Sequence, residues 1–271
     1  MSAAEPILAV RELRFAYGGG PEVLAGVELS ARQGELLCVL GPNGCGKTTL
    51  LKCLLGLLEP QAGRIELAGR ERAGYRVMEL ARIVSYVPQT ARAAFSFTVE
   101  QIVMMGRTPH MGRLGLPGEL DRRVVAAAMA MTGVMRFARR PLEALSGGEQ
   151  QTVMITRALA QQGRLMLLDE PTSHLDVRHQ LDIYALMAKL AHEWGMAVVA
   201  VSHDVNLAAR FADRLVLLSD GRVAAEGTPG QVIRADVLQR VYDVPVRLVD
   251  VGLAVAMVIA GQGEERREGV S

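Results

Sequence analysis

Neither a surplus of charge of one sign nor an apolar run long enough to cross a bilayer is found in this 271-residue chain. Its 30 Lys and Arg residues are offset by 29 Asp and Glu. Bulk electrostatics therefore points neither to nucleic acid nor to an anionic lipid surface as a partner. The most apolar tail segment, Val251 to Ala260, is only about half of the roughly twenty residues that a spanning helix needs. The opening MSAAEPILAV has neither the basic start nor the long apolar stretch of a signal peptide. A cytoplasmic chain is expected, with any membrane role coming through a partner. Cysteine is scarce as well. The three, Cys38, Cys45 and Cys53, fall within sixteen residues and follow no zinc spacing. They read as free thiols in a reducing compartment. No repeat and no low-complexity segment is found. What remains is ordinary globular composition, 50% hydrophobic and 22% charged, which excludes general disorder. The length suffices for a sizeable core without disulfides.

The first 90 residues read as strands punctuated by glycine turns. Leu8 to Phe15 and Val23 to Leu29 alternate like half-buried antiparallel strands. Glu35 to Leu40 is a short apolar run suited to a strand buried on both faces. A glycine-rich loop follows, then leucines at helical spacing from Lys47 to Leu58. Further strands fit Arg64 to Leu67 and Ile83 to Val87. Between Thr98 and Arg140 helical pattern takes over. Thr98 and Gln101 form a capping box, and a second helix fits Leu120 to Met131. The Gly- and Pro-rich stretch Arg107 to Gly118 looks like a long surface loop. The α/β rhythm then resumes. RLMLLDE ends a buried strand at Glu170, Arg178 to Trp194 is a long helix, and Ala197 to Val201 is another apolar strand. Leu215 to Leu218 and Arg222 to Ala225 form a hairpin across Asp220-Gly221. From Thr228 two short helices and two strands are expected, and Gln262 to Ser271 reads as a frayed polar tail.

Gly41 to Thr48, GPNGCGKT, match the Walker A phosphate loop. Glycines let backbone amides close around phosphates. Lys47 reaches the β- and γ-phosphates, Thr48 offers a hydroxyl to Mg²⁺, and the following helix points its positive end at the anion. A buried strand before the motif and a helix after it supply the required context. Leu165 to Glu170 places Asp169 and Glu170 at the C-terminal end of a strand, where α/β ligand sites lie. Asp169 would hold Mg²⁺ and Glu170 would orient the attacking water. Alone, an apolar strand ending in an acidic turn says no more than that; beside the phosphate loop it completes a P-loop NTPase. A kinase, a GTPase or a helicase would show the same pair.

Leu145 to Gln151, LSGGEQQ, narrows the choice. In isolation Ser146 and Glu149 describe an ordinary capped helix, with Gly147 and Gly148 leaving the first amides accessible. The stretch resembles the signature of ATP-binding cassette (ABC) proteins, and the resemblance covers nearly the whole chain. Tyr17 resembles the aromatic that stacks on adenine. Gln89, in YVPQ, resembles the glutamine that touches Mg²⁺ and the attacking water. Ser173 to Asp176, SHLD, resembles the loop that crosses the dimer interface. His203, in VSHD, resembles the switch histidine at the γ-phosphate. The resemblance implies nucleotide binding by Tyr17, Gly41, Pro42, Asn43, Gly44, Cys45, Gly46, Lys47, Thr48 and Thr49. Ser146, Gly147, Gly148, Glu149 and Asp176 would act on the nucleotide held by a second copy. Catalysis would fall to Glu170, Gln89 and His203, with Thr48, Gln89 and Asp169 around Mg²⁺. Two departures stand out. Cys45 replaces the serine commonest at that position, which suggests sensitivity to thiol reagents. Gln150 and Thr152 stand where many members carry arginines.

The implied fold is α/β: a RecA-like P-loop core (1–95 and 160–228) with an N-terminal antiparallel β subdomain. A helical subdomain (96–159) is inserted, and a short extension (229–271) follows. GRTPHMG, Gly106 to Gly112, and PTSHLDVRHQLDI, Pro171 to Ile183, look like the ATPase subunits that drive import of ferric siderophores, haem and cobalamin. The resemblance implies an ATP-sandwiching homodimer at the cytoplasmic face of the inner membrane. It would dock on polytopic permease subunits near Gln89 and the loop Arg107 to Gly118, and would be served indirectly by an extracytoplasmic substrate-binding protein. The competing class is a soluble single-cassette ABC ATPase, such as an iron–sulfur assembly factor. A P-loop kinase or GTPase leaves LSGGEQQ unexplained and would want an NKxD motif, which is absent.

Overall fold

The computed structural model describes residues 5–89, 96–112, 115–250 and 255–259. The chain opens with strands β1 (Leu8–Ala16), β2 (Glu22–Ala31) and β3 (Leu36–Leu40), then helix α1 (Lys47–Leu54). Strands β4 (Ala62–Leu67) and β5 (Arg70–Glu71), the short helix α2 (Val77–Leu80) and strand β6 (Val84–Val87) follow. The helical stretch holds α3 (Val99–Met105), α4 (Glu119–Met131) and α5 (Gly147–Ala160). Then come β7 (Leu165–Asp169), α6 (Val177–His192), β8 (Ala197–Val201), α7 (Val205–Phe211), β9 (Arg214–Ser219) and β10 (Arg222–Gly227). Helices α8 (Pro229–Val232) and α9 (Ala235–Tyr242) and strands β11 (Val246–Asp250) and β12 (Val255–Ile259) close the described chain.

A six-stranded sheet in the order β10-β9-β3-β8-β7-β6 carries the site, and a four-stranded sheet, β2-β1-β4-β5, lies beside it. Strands β9, β3, β8, β7 and β6 pair in parallel, and β10 is the antiparallel edge. Every residue of β3, β7 and β8 is buried. Their alternate side chains serve two separate cores. Leu36, Cys38 and Leu40 face the helical side, whereas Leu37 and Val39 face α1 and the antiparallel sheet. Each leucine so buried contributes about 1.5–3 kcal/mol relative to an exposed one.

The hairpin at Asp220-Gly221 is as expected, with φ of 49° and 71°. The Thr98 cap is also in place, its Oγ1 accepting from the Gln101 amide at 3.3 Å while Gln101 Oε1 accepts from the Thr98 amide at 2.9 Å. The two helices and two strands expected after Thr228 are present. Residues 262–271, read as a polar tail, lie outside the described residues. Two expectations are corrected. Helix α1 stops at Leu54 rather than Leu58, because Gly56 turns left-handed (φ 71°) and breaks the ladder before the last leucines. The stretch from Arg107 is not a solvated loop at its start: Arg107 is 2% exposed. Its Nε donates to Asp121 Oδ1 (3.0 Å), and its Nη1 donates to the Ala160 carbonyl and Gln162 Oε1 (2.8 Å each). Next to it, Arg82 donates to the Pro109 carbonyl and His110 Nε2 to the Gln161 carbonyl. Gly106 lies so close to α5 that a Cβ would overlap the Arg157 carbonyl oxygen.

Candidate nucleotide site

The loop after β3 depends on its glycines in two places. A Cβ on Gly41 would overlap the Leu218 carbonyl oxygen, and one on Gly46 (φ 105°) would press on the Val23 carbonyl. Gly46 caps α1 with no side-chain hydrogen bond, so the first amides of α1 stay available to an anion. Lys47 is buried, and its Nζ donates to the carbonyls of Gly41 and Pro42, both at 2.8 Å. Pro42, Asn43, Gly44 and Cys45 line one wall of a cleft of about 440 Å³, which Glu22 and Asp220 share. Tyr17 is half exposed, its hydroxyl 3.3 Å from Thr49 Oγ1 and its ring edge-on to Phe15. Cys45 is not an activated thiol. It is buried, and desolvation raises its pKa against the opposing pull of Lys47. Burial and the raised pKa both run against the thiol sensitivity suggested by the sequence. Cys38 and Cys53 are buried too, with pKa values pushed up to about 12 and about 11.

Strand β7 delivers the carboxylates. Thr48 Oγ1 donates to Asp169 Oδ1 at 3.2 Å, joining the start of α1 to the end of β7. Asp169 is 4% exposed; burial raises its pKa, and the Thr48 bond opposes the shift. Glu170 sits at φ 45°, a left-handed conformation rare for glutamate, and its amide donates to the Val201 carbonyl at 3.0 Å. Its Oε2 accepts from Gln89 Nε2 and from Ser173 Oγ, each at 2.9 Å, and His203 Nδ1 lies 3.7 Å away. His203 is fixed from behind. The preceding Ser202 is buried and accepts from the Tyr184 hydroxyl, and Asp204 caps α7.

The signature residues form a separate group. Ser146 caps α5: its Oγ accepts from the Glu149 amide at 3.4 Å, and Glu149 Oε2 accepts from the Ser146 amide and hydroxyl at 2.9 and 3.0 Å. The Ser146 amide holds the Glu149 pKa below the usual range. Gly147 and Gly148 form the first turn, and Gly148 is tightly packed as well as open-backed, since a Cβ there would overlap the His179 ring. Asp176 caps α6, accepting from the His179 amide and Nδ1 at 2.9 Å. Among the described residues no hydrogen bond or ion pair joins this group to the phosphate loop. The structure thus brings Thr48 to Asp169, and Gln89 and His203 to Glu170, next to Lys47, and among the described residues no hydrogen bond or ion pair joins residues 146–149 or Asp176 to them. Two contributors escaped the sequence reading. Ser173 was seen only as part of SHLD, yet it bonds Glu170. Tyr86 stands on the strand beside β7, on the same face as Asp169; its place three residues before Gln89 was the available signal.

Comparison with known proteins agrees with this arrangement. The ABC transporter family profile matches residues 24–173, more than half of the chain. The cobalamin import ATP-binding protein of Halobacterium salinarum is 45% identical over 227 residues, covering 84% of this chain and 56% of the relative. This chain thus spans little more than half of that relative's length. The hemin import ATP-binding protein of Streptomyces coelicolor is 45% identical over 244 residues, covering 90% of this chain and 86% of the relative. A solved chain from a metal-chelate type ABC transporter in an inward-facing conformation superposes with a TM-score of 0.84 at 30% identity. It covers 95% of this chain and 99% of its own. A phosphate loop, an acidic strand end and a capped signature helix, matched along most of the sequence, place this chain in the ABC transporter family.

Proposed function

We propose that the chain binds and hydrolyses ATP as a homodimer and drives a membrane permease that imports a metal chelate such as a ferric siderophore, haem or cobalamin. The observation that carries this reading is the convergence on Glu170 Oε2 of Gln89, Ser173 and His203, beside the Thr48–Asp169 pair. In this reading Lys47 exchanges its two carbonyl partners for the β- and γ-phosphates, and the open amides of α1 take the remaining phosphate oxygens. Tyr17 offers its exposed ring to adenine, while Thr49, Asn43 and the loop amides complete the cradle. Glu170 orients the attacking water and draws its proton, with Gln89 and His203 holding the carboxylate and the γ-phosphate in line.

The residues present fit Mg²⁺. Thr48 and Asp169 bring hard oxygen donors together at a desolvated carboxylate, and no cluster of three or more His, Cys, Asp or Glu side chains occurs among the described residues. That is the donor set of an ion held largely by phosphates. When bound, Mg²⁺ would offset charge on the phosphate oxygens. Gln89, two residues past β6, would be a further ligand.

Ser146 to Glu149 and Asp176 bond only locally, which supports their acting on the nucleotide of a second copy. The names of the relatives support the cargo class. We divide the chain into a core (1–95 and 160–228), a helical subdomain (96–159) and an extension (229–271), with α3, α4 and α5 sharing one core with the sheet. No helix among the described residues is long and apolar enough to cross a membrane. A permease would therefore supply the membrane span, at the cytoplasmic face of the inner membrane, with a substrate-binding protein acting on its far side. We place its contact at an apolar cleft of about 470 Å³ between the end of α1 and α2, flanked by exposed Leu57, Val77 and Met78. Arg107 and Pro109 are buried, whereas Leu116, farther along the same stretch, is exposed and would add to such a contact.

The test is Glu170→Gln. Turnover should fall at least a hundredfold, while ATP with Mg²⁺ still converts monomer to dimer in light scattering. A variant that stays monomeric at saturating ATP, or that keeps its turnover, would overturn the reading.

A further inference from the structure

The start of α5 and the start of α6 touch each other inside one chain. A Cβ built on Gly148 would lie 2.1 Å from Cδ2 and 2.4 Å from Cγ of His179, so the imidazole ring is seated directly on the backbone of that glycine. One residue earlier, a Cβ on Gly147 would meet Leu175 Cδ2 at 3.5 Å, an ordinary contact. Both glycines thus lean on the segment that carries Asp176. The ring is held in turn by the cap of α6. Asp176 Oδ1 accepts from the His179 amide at 2.9 Å, and both carboxylate oxygens lie 2.9 Å from His179 Nδ1. An ionised carboxylate can only accept, so Nδ1 carries the proton of that bond. These bonds also keep the Asp176 pKa below the usual carboxylate range. Beside the ring a cleft of about 390 Å³ opens between the two helices, with Glu149 and Thr152 of α5 and Arg178 and Asp182 of α6 among its walls. Where close packing gives way to that cleft, the first turn of α5 rests on the ring.

Residues 146–149 and Asp176 are the two parts assigned above to the nucleotide of a second copy. Two groups on different elements can meet one ligand together only if their spacing is fixed beforehand. We propose that His179 is a positioning residue for this half-site: its ring, bonded to Asp176 and seated on Gly148, sets the distance between the start of α5 and the cap of α6. On this account Gly148 is glycine because the ring occupies the place of a side chain. The proposal rests on the reading of Ser146 and Asp176 as the surface offered to a partner's nucleotide.

The test uses the full chain carrying Glu170→Gln, so that ATP persists. It reads ATP affinity of the dilute monomer with a fluorescent analogue, ATP-driven dimerisation by light scattering, and melting temperature. His179→Ala should leave monomer affinity unchanged and raise the ATP concentration for half-maximal dimerisation about fivefold or more, the low end of ordinary coupling between sites. His179→Phe, which keeps a ring on Gly148, should recover most of that loss. His179→Asn, whose amide can still reach Asp176 but leaves no ring, should not. Recovery by His179→Asn would mean that only the cap of α6 matters, and the proposal would be wrong. A lower melting temperature with unchanged dimerisation, the mark of packing alone, would overturn it too. Gly148→Ala gives an independent check. Alone it should impair dimerisation more than His179→Ala does, and joined to His179→Ala it should add nothing further; additive losses would show that ring and glycine act separately and would refute the proposal. Ser146→Ala is the reference and should weaken dimerisation. Should it have no effect, the half-site reading fails, and the proposal with it, whatever the His179 variants do.

Discussion

Cysteine at position 45 places a thiol inside a phosphate loop, 3.9 Å from the Lys47 ammonium. Two effects compete there. Lys47 favours the thiolate, while burial disfavours it more, and the net pKa lies above the ordinary thiol value. The reactive form is therefore scarce at neutral pH, and the side chain is covered as well. N-ethylmaleimide at pH 7.5 should label Cys45 at least tenfold more slowly than it labels glutathione, as read by intact-mass kinetics. Labelling at the rate of a free thiol would show that the loop opens readily. Glu170 presents a different residue-scale problem. A left-handed backbone costs a non-glycine residue on the order of 1–3 kcal/mol, and the Val201 carbonyl, Gln89 and Ser173 together hold it there. No local sequence pattern announces such a conformation; only the neighbouring strand and the turn after it impose it.

Helix starts show how far local chemistry reaches. Thr98–Gln101 and Ser146–Glu149 are the same capping device in sequence, and in the structure both are made in full. Loss of either cap by Ala substitution should cost about 1 kcal/mol of stability. Their functions should differ. Thr98→Ala is expected to leave ATP turnover within twofold, whereas Ser146→Ala, with the same shift in the denaturation midpoint, should lower turnover more than tenfold. Equal effects on turnover would mean that α5 is merely a capped helix. These caps, the buried strands and the Asp220-Gly221 turn were legible because they rest on contacts a few residues apart. The end of α1 was not, because leucine spacing continues past the point where Gly56 reverses the backbone. Ser173 and Tyr86 were missed for a related reason: Ser173 bonds Glu170 and Tyr86 shares the face of Asp169, and both carboxylates take their places from sheet register. Arg107 was misread because glycine and proline around it signal a surface loop, while its burial depends on Asp121, Ala160 and Gln162 arriving from elsewhere.

At the scale of the molecule, Arg107 joins the start of α4 to the end of α5. Removing one partner of a buried ion pair strands the other, at about 3–5 kcal/mol. Arg107→Met should therefore lower the melting temperature by many degrees while ATP affinity, measured well below it, is retained. Asp121 gives the pair a pH signature. Hydrogen bonds from the Gly118 amide and from Arg107 depress its folded pKa. The stabilisation is thus fully present above the unfolded value of about 3.9 and is lost as pH falls through the depressed folded value. Asp121→Asn should flatten the acid limb of the stability curve below about pH 4; an unchanged limb would place the acid-sensitive group elsewhere.

Helix α5 runs without interruption from Gly147 to Ala160, and Gln161, just beyond it, donates to the carbonyls of Ala81 and of Val84, the first residue of β6. At 1.5 Å per residue this is a rod of about 20 Å, buried along one side from Val153 to Ala160 and carrying Ser146 at its start. Where the serine stands is therefore decided along the whole length of the rod, by the Gln161 anchor and by every side chain that α5 packs against, and not by the turn around Ser146 alone.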